Sequence, residues 1–152
     1  MQIDKELYEK FPVILRDKLL KNEISFPNST EFEYDRILVY RAVERKADDF
    51  HEITRADFRS YAELKKLPKK LPRGSVGFER DPHYYGVSSF LDKKMVEQVM
   101  HFPNPNKKMA TGYVYCEGGP QDTNMEKQHV CWWLYEDANV SDFKLVKEGK
   151  DE

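Results

Sequence analysis

Arg41 stands in an apolar run, Leu38-Val39-Tyr40-Arg41-Ala42-Val43. A guanidinium in such surroundings must find a carboxylate, a carbonyl or an anionic ligand, because an unpaired buried charge is very costly. Its five fixed donors suit a phosphate. A salt bridge to Glu44 or Asp35, or outward exposure on the alternate pleat, would also satisfy it. The second notable run is Tyr84-Tyr85-Gly86-Val87-Ser88-Ser89-Phe90. Ser89-Phe90-Leu91-Asp92 matches a capping box, which would account for the Ser89 hydroxyl. Ser88 has no such explanation; Gly86 permits close backbone approach beside a helix start, where anions bind readily. His129 opens the aromatic stretch His129-Val130-Cys131-Trp132-Trp133-Leu134-Tyr135. There is no phosphate-cradling glycine loop leading into a helix, no His-Glu-x-x-His and no Gly-x-Ser-x-Gly, which removes several large enzyme classes.

These residues need elements to position them. Residues 36–43 are short and rich in β-branched and aromatic types, which predicts a buried strand. Residues 84–90 read as a second strand, leading directly into a helix on Leu91, Met95 and Val99 with Val96 and Met100. A third strand is expected over residues 109–116, a polar loop from Glu117 to about Gln128, a fourth strand over 129–135 and a short fifth over 142–146. Upstream, Leu7, Phe11, Ile14, Leu15 and Leu19 recur at helical spacing across residues 4–22, with Pro12 starting or kinking the main helix. Thr54-Arg55-Ala56-Asp57 fits a capping box opening a short helix to about residue 66. Helices concentrate in the first two thirds and strands in the last, without repeated βαβ units. The expectation is an α+β fold: a mixed, mainly antiparallel sheet of about five or six strands with helices packed on it.

At 152 residues the chain suits a single domain, 1–152, with an N-terminal helical segment over 1–24 and a charged tail over 147–152 that should fray. Nine Tyr, nine Phe and two Trp are too many for a disordered chain, and a net charge of −2 offers no overall field toward nucleic acid or an anionic membrane. Cys116 and Cys131 lie in segments that read as strands and lack paired metal or redox spacing; they read as buried free thiols, and no metal site is expected. With no apolar leader core and no run near the ~18 residues of a membrane span, a cytoplasmic location is expected.

Taken together, Leu38-Val39-Tyr40-Arg41-Ala42-Val43 and the run Tyr85-Gly86-Val87-Ser88-Ser89-Phe90 before an amphipathic helix resemble the ADP-ribosyltransferase-like fold, over roughly residues 37–146. The resemblance implies NAD as cofactor and ADP-ribose transfer through an oxocarbenium-like centre, which needs a carboxylate near the ribose and donors on the pyrophosphate. Arg41 would then bind the phosphates or nicotinamide, Ser88 orient the ribose, and Tyr85 stack on a ring. The family's Glu-x-Glu or Gln-x-Glu on a late strand is absent. Glu117 and Glu136, at the ends of the third and fourth strands, stand in as candidate catalytic acids, with His129 as an acid/base or polar contact.

A competing reading is a non-enzymatic protein-binding module of the immunity, antitoxin or accessory kind. It rests on Tyr84, Tyr85, Trp132, Trp133 and Tyr135, types enriched at interface hot spots if exposed. Trp132 and Trp133 are adjacent, so on a strand they face opposite sides. Nucleic acid is the third option, through the loop Lys65-Lys66-Leu67-Pro68-Lys69-Lys70-Leu71-Pro72-Arg73, which carries five cations in nine residues.

Overall fold

Six strands form one sheet in the computed structural model, which describes residues 5–46, 48–64, 78–99 and 106–146. They are β1 (Ile37–Glu44), β2 (Val87–Phe90), β3 (Lys107–Val114), β4 (Gln121–Asn124), β5 (His129–Trp132) and β6 (Lys144–Leu145). The spatial order is β4-β5-β2-β1-β3-β6, and every neighbouring pair is antiparallel. Among the described residues the α-helices are α1 (Lys5–Tyr8), α2 (Val13–Leu20), α3 (Tyr61–Leu64) and α4 (Lys93–Val99). The α+β expectation holds, with the sheet antiparallel throughout. The segment 65–73 and the tail 147–152 lie outside the described residues.

Both faces of the sheet carry a packed apolar cluster, while Leu38 and Ser88 on the second face stay exposed. On one face Val39, Val43, Val87, Val130 and Trp132 pack beneath Ile53, Phe58, Val140 and Phe143. Gly112 on β3 makes room there: a Cβ would sit 2.6 Å from the Phe143 ring. On the other, Cys131, Trp133 and Tyr135 pack against Phe11, Leu15 and Leu19, an i, i+4, i+8 stripe carried by α2 and the residue before Pro12. Trp132 and Trp133 thus face opposite sides, as alternation requires.

Local chemistry moves several boundaries. Pro12 starts α2, with its own ψ at 149°, and separates α2 from α1, so residues 4–22 are not one helix. The capping box at Thr54 closes, the Asp57 carboxylate accepting the Thr54 N–H at 2.9 Å. The element it opens is a 3-10 turn, Arg55–Phe58; Arg59 is extended, and α3 begins only at Tyr61. The expected strand from Tyr84 is preceded by another 3-10 turn, Pro82–Tyr85, in which Asp81 accepts from the His83 N–H and Pro82 fixes the first position. The strand begins at Val87. Residues 115–118 leave β3 for a turn, Cys116–Gly118, so Cys116 is not on a strand, and β5 ends at Trp132.

Two expectations fail for tertiary reasons. The polar stretch Gln121-Asp122-Thr123-Asn124 is not a loop but strand β4. It pairs with β5 and forms a bridge to Glu31, whose carboxylate accepts from buried Gln121 Nε2 at 2.5 Å. Nor does Ser89 cap α4. It points into the core, its Oγ unpartnered, while Asp92 Oδ1 accepts the Lys94 N–H at 2.9 Å and supplies the cap.

Candidate functional site

The site arises from an interruption in the sheet. β1 pairs with β3 at every position from Ile37 to Glu44, but with β2 only at Tyr40 opposite Phe90. Beyond that pair the strands part, and a cleft of about 460 Å³ lies between Arg41–Glu44 on one side and Gly86–Ser88 on the other. Asp57, Arg59, Ser60, Tyr61 and Leu64 border it from the third side, joined by His83 and Lys107.

Arg41 bridges the parted strands. Its Nη1 donates to the Ser88 carbonyl at 2.5 Å, and its Nε and Nη2 both donate to the Asp57 carbonyl, at 3.2 and 3.1 Å. The guanidinium also lies 5.4 Å from the Phe58 ring centroid. Burial pushes it down to about 10, with the Asp57 charge opposing, so it stays protonated at neutral pH. Its partners are backbone carbonyls, not Glu44 or Asp35. The carboxylate of Asp57 is taken instead by Arg45, a buried side chain that engages both oxygens in a fork at 2.6 and 2.7 Å. Sequence reasoning missed Arg45 and Asp57 as a pair; the capping box had already assigned Asp57 a local task.

Ser88 and His129 come together on the opposite face. Ser88 follows core-facing Val87, so its hydroxyl points away from the guanidinium, and Oγ lies 3.0 Å from His129 Nε2. The His129 ring packs edge-on to Phe90, centroids 5.3 Å apart. Burial, reinforced by His83 and Lys127, pushes this imidazole below its ordinary value, Asp122 opposing. A neutral imidazole against a hydroxyl can hold or move a proton at Oγ. Arg41 and Ser88 therefore meet at a main-chain oxygen, and their side chains leave the sheet on opposite faces.

The other candidates scatter. Tyr85 is buried in the α2 cluster, its hydroxyl donating to the Glu79 carbonyl at 2.7 Å; Tyr61 is the tyrosine that borders the cleft. Glu117 is exposed on the turn Cys116–Gly118, apart from the cleft lining. Glu136 is exposed and bound to Arg59, a cleft residue, at 2.7 Å. Cys131 is a free, buried thiol held well above its ordinary value by desolvation; Cys116 is free and half-buried.

The aromatics offered for protein binding are mostly internal. Trp132 and Trp133 are 1% and 0% exposed, and Tyr85 and Tyr135 are buried. Only Tyr84 of the five reaches half-burial, because both sheet faces carry a covering layer. Among the described residues no helix is long and apolar enough to cross a membrane, and no group of three or more His, Cys, Asp or Glu could hold a metal ion. Comparison with protein-family models, curated proteins and solved structures finds no match.

Proposed function

We propose that the cleft between β1 and β2 binds NAD or a related nucleotide through its phosphates. The observation that carries this is the cleft itself, whose lining sets Arg41, Arg59 and Lys107 against Glu44 and Asp57, with the Asp57 carboxylate already engaged by Arg45. Its volume of about 460 Å³ falls in the range of small-molecule sites, ~300–1,000 Å³. Tyr61 adds an aromatic surface, and Ser60 lies at the wall. Transfer of ADP-ribose, which the family resemblance implies, needs in addition a carboxylate beside the ribose. Of the two glutamates that resemblance nominates, Glu136 is the one tied to a cleft residue.

Thermal denaturation with millimolar NAD tests the reading. At a hundred times Kd the ligand adds about 2.7 kcal/mol, which for a domain of this size raises Tm by roughly 5–10 °C. The shift should shrink in Lys107→Gln and Tyr61→Ala, which alter the lining and leave the Arg41 bridge intact. Absence of any shift with NAD, ADP-ribose or AMP would refute nucleotide binding.

A further inference from the structure

Arg41 borders the cleft, but each of its three nitrogens already donates to a carbonyl of Asp57 or Ser88, which leaves one further N–H on each Nη. Its orientation is fixed by the chain it holds. Arg59 is differently placed. It sits in the extended residue between the turn Arg55–Phe58 and α3, and uses Nη1 alone for its two partners, Glu63 Oε2 and Glu136 Oε2, both at 2.7 Å. Nε and Nη2 have no hydrogen-bond partner among the described residues.

Those two partners differ in kind. The Glu63 side chain is 12% exposed and also accepts from the Ser60 N–H and hydroxyl, so it belongs to the start of α3. The Glu136 side chain is 54% exposed, 77 residues away in sequence, on the loop after β5. Of the two, the exposed glutamate is the one that can leave at little cost, since an exposed ion pair contributes little. A phosphate has the larger charge and three acceptor oxygens, matching the planar donor fork.

We propose that Arg59 is the anion-binding group of the cleft, and that Glu136 occupies it as a stand-in carboxylate until a ligand phosphate or pyrophosphate displaces it. The inference rests on the reading that the cleft takes a phosphorylated ligand, and it turns Glu136 from a candidate catalytic acid into a competitor for the guanidinium.

Isothermal titration of the full chain with NAD and with inorganic pyrophosphate decides the matter, using wild type, Glu136→Gln and Arg59→Gln. Removing an exposed competing carboxylate should tighten binding of both probes about two- to fivefold. Removing the guanidinium should weaken it more than about tenfold, the worth of a charged hydrogen bond. Because Glu136 is exposed, its variant keeps the fold and carries the decision. If wild type binds NAD and Glu136→Gln binds it equally or more weakly, the displacement idea fails while the nucleotide reading stands. If Glu136→Gln gains affinity for pyrophosphate but NAD binds no better than pyrophosphate, the displacement idea stands and the nucleotide reading fails. If no form binds either probe, both fail.

Discussion

The Nη1 of Arg41 lies 2.5 Å from the main-chain oxygen of Ser88, spanning the place where β1 and β2 stop pairing. The same guanidinium holds the carbonyl of Asp57, and the carboxylate of Asp57 holds Arg45, the residue just past the end of β1. The turn Arg55–Phe58 is thereby fastened at two points, to the middle of β1 and to its end. An opened sheet would otherwise leave carbonyls without a ladder partner, and a charged donor fork is a strong way to satisfy several of them at once. The cleft exists because a side chain replaces part of a ladder.

Replacing Arg41 with Met keeps much of the apolar stem and leaves the Ser88 and Asp57 carbonyls without this donor. We expect a loss of roughly 1–3 kcal/mol, the lost hydrogen bonds outweighing the relief of a partly buried cation. Urea denaturation measures it. Unchanged stability would mean the parted strands do not depend on this bridge.

Asp57→Asn strips the buried Arg45 of its charge partner, and breaking such a pair costs about 3–5 kcal/mol. The pH response should change as well. Desolvation pushes the Asp57 carboxyl up, but the hydrogen bonds from Arg45 and the Thr54 N–H outweigh it and hold the group below its ordinary value of 3.8. A carboxyl depressed by folding contributes stability that is complete above 3.8 and is lost as pH falls through the lower folded value. Wild type should therefore lose stability in that acid window more steeply than the variant, by denaturation at stepped pH.

His129 has the opposite chemistry and a higher window. Its folded pKa lies below the ordinary 6.5, chiefly through burial, so below 6.5 the unfolded chain takes up a proton while the folded imidazole stays neutral. The unfolded state then binds more protons, and stability falls as pH drops through this range. Subtracting the His129→Gln profile from the wild-type profile should isolate that slope. An NMR titration placing His129 at or above 6.5 would contradict it.

The two thiols should react at different rates. Cys131 is 2% exposed, and its desolvated thiol resists ionisation; Cys116 is partly exposed. Iodoacetamide at neutral pH should label Cys116 in the native protein and reach Cys131 only on unfolding, as peptide mapping would show. Equal labelling under native conditions would indicate that β5 opens readily.

The elements were legible in the sequence where a cause lay within a few residues. Thr54 and Asp57 form their capping box, Pro12 starts a helix, and the apolar, β-branched and aromatic runs around Val39 and Val130 make strands, since each depends on neighbours in the chain. Tertiary pairing decided the rest. Gln121-Asp122-Thr123-Asn124 has no strand character of its own and becomes β4 because β5 and Glu31 offer it hydrogen bonds.

The site was legible in its residue types and not in its geometry. Arg41 could be recognised as a cation that needed partners, because a lone guanidinium in an apolar run has no other resolution. That its partners are carbonyls of Asp57 and Ser88 depends on where β1 and β2 diverge, a matter of register between segments that meet 47 residues apart in the chain. Likewise the sequence alone put Trp132 and Trp133 on opposite faces through the two-residue period of a strand. Only the layers packed above each face determined that both are buried, since burial is a property of what lies across the sheet.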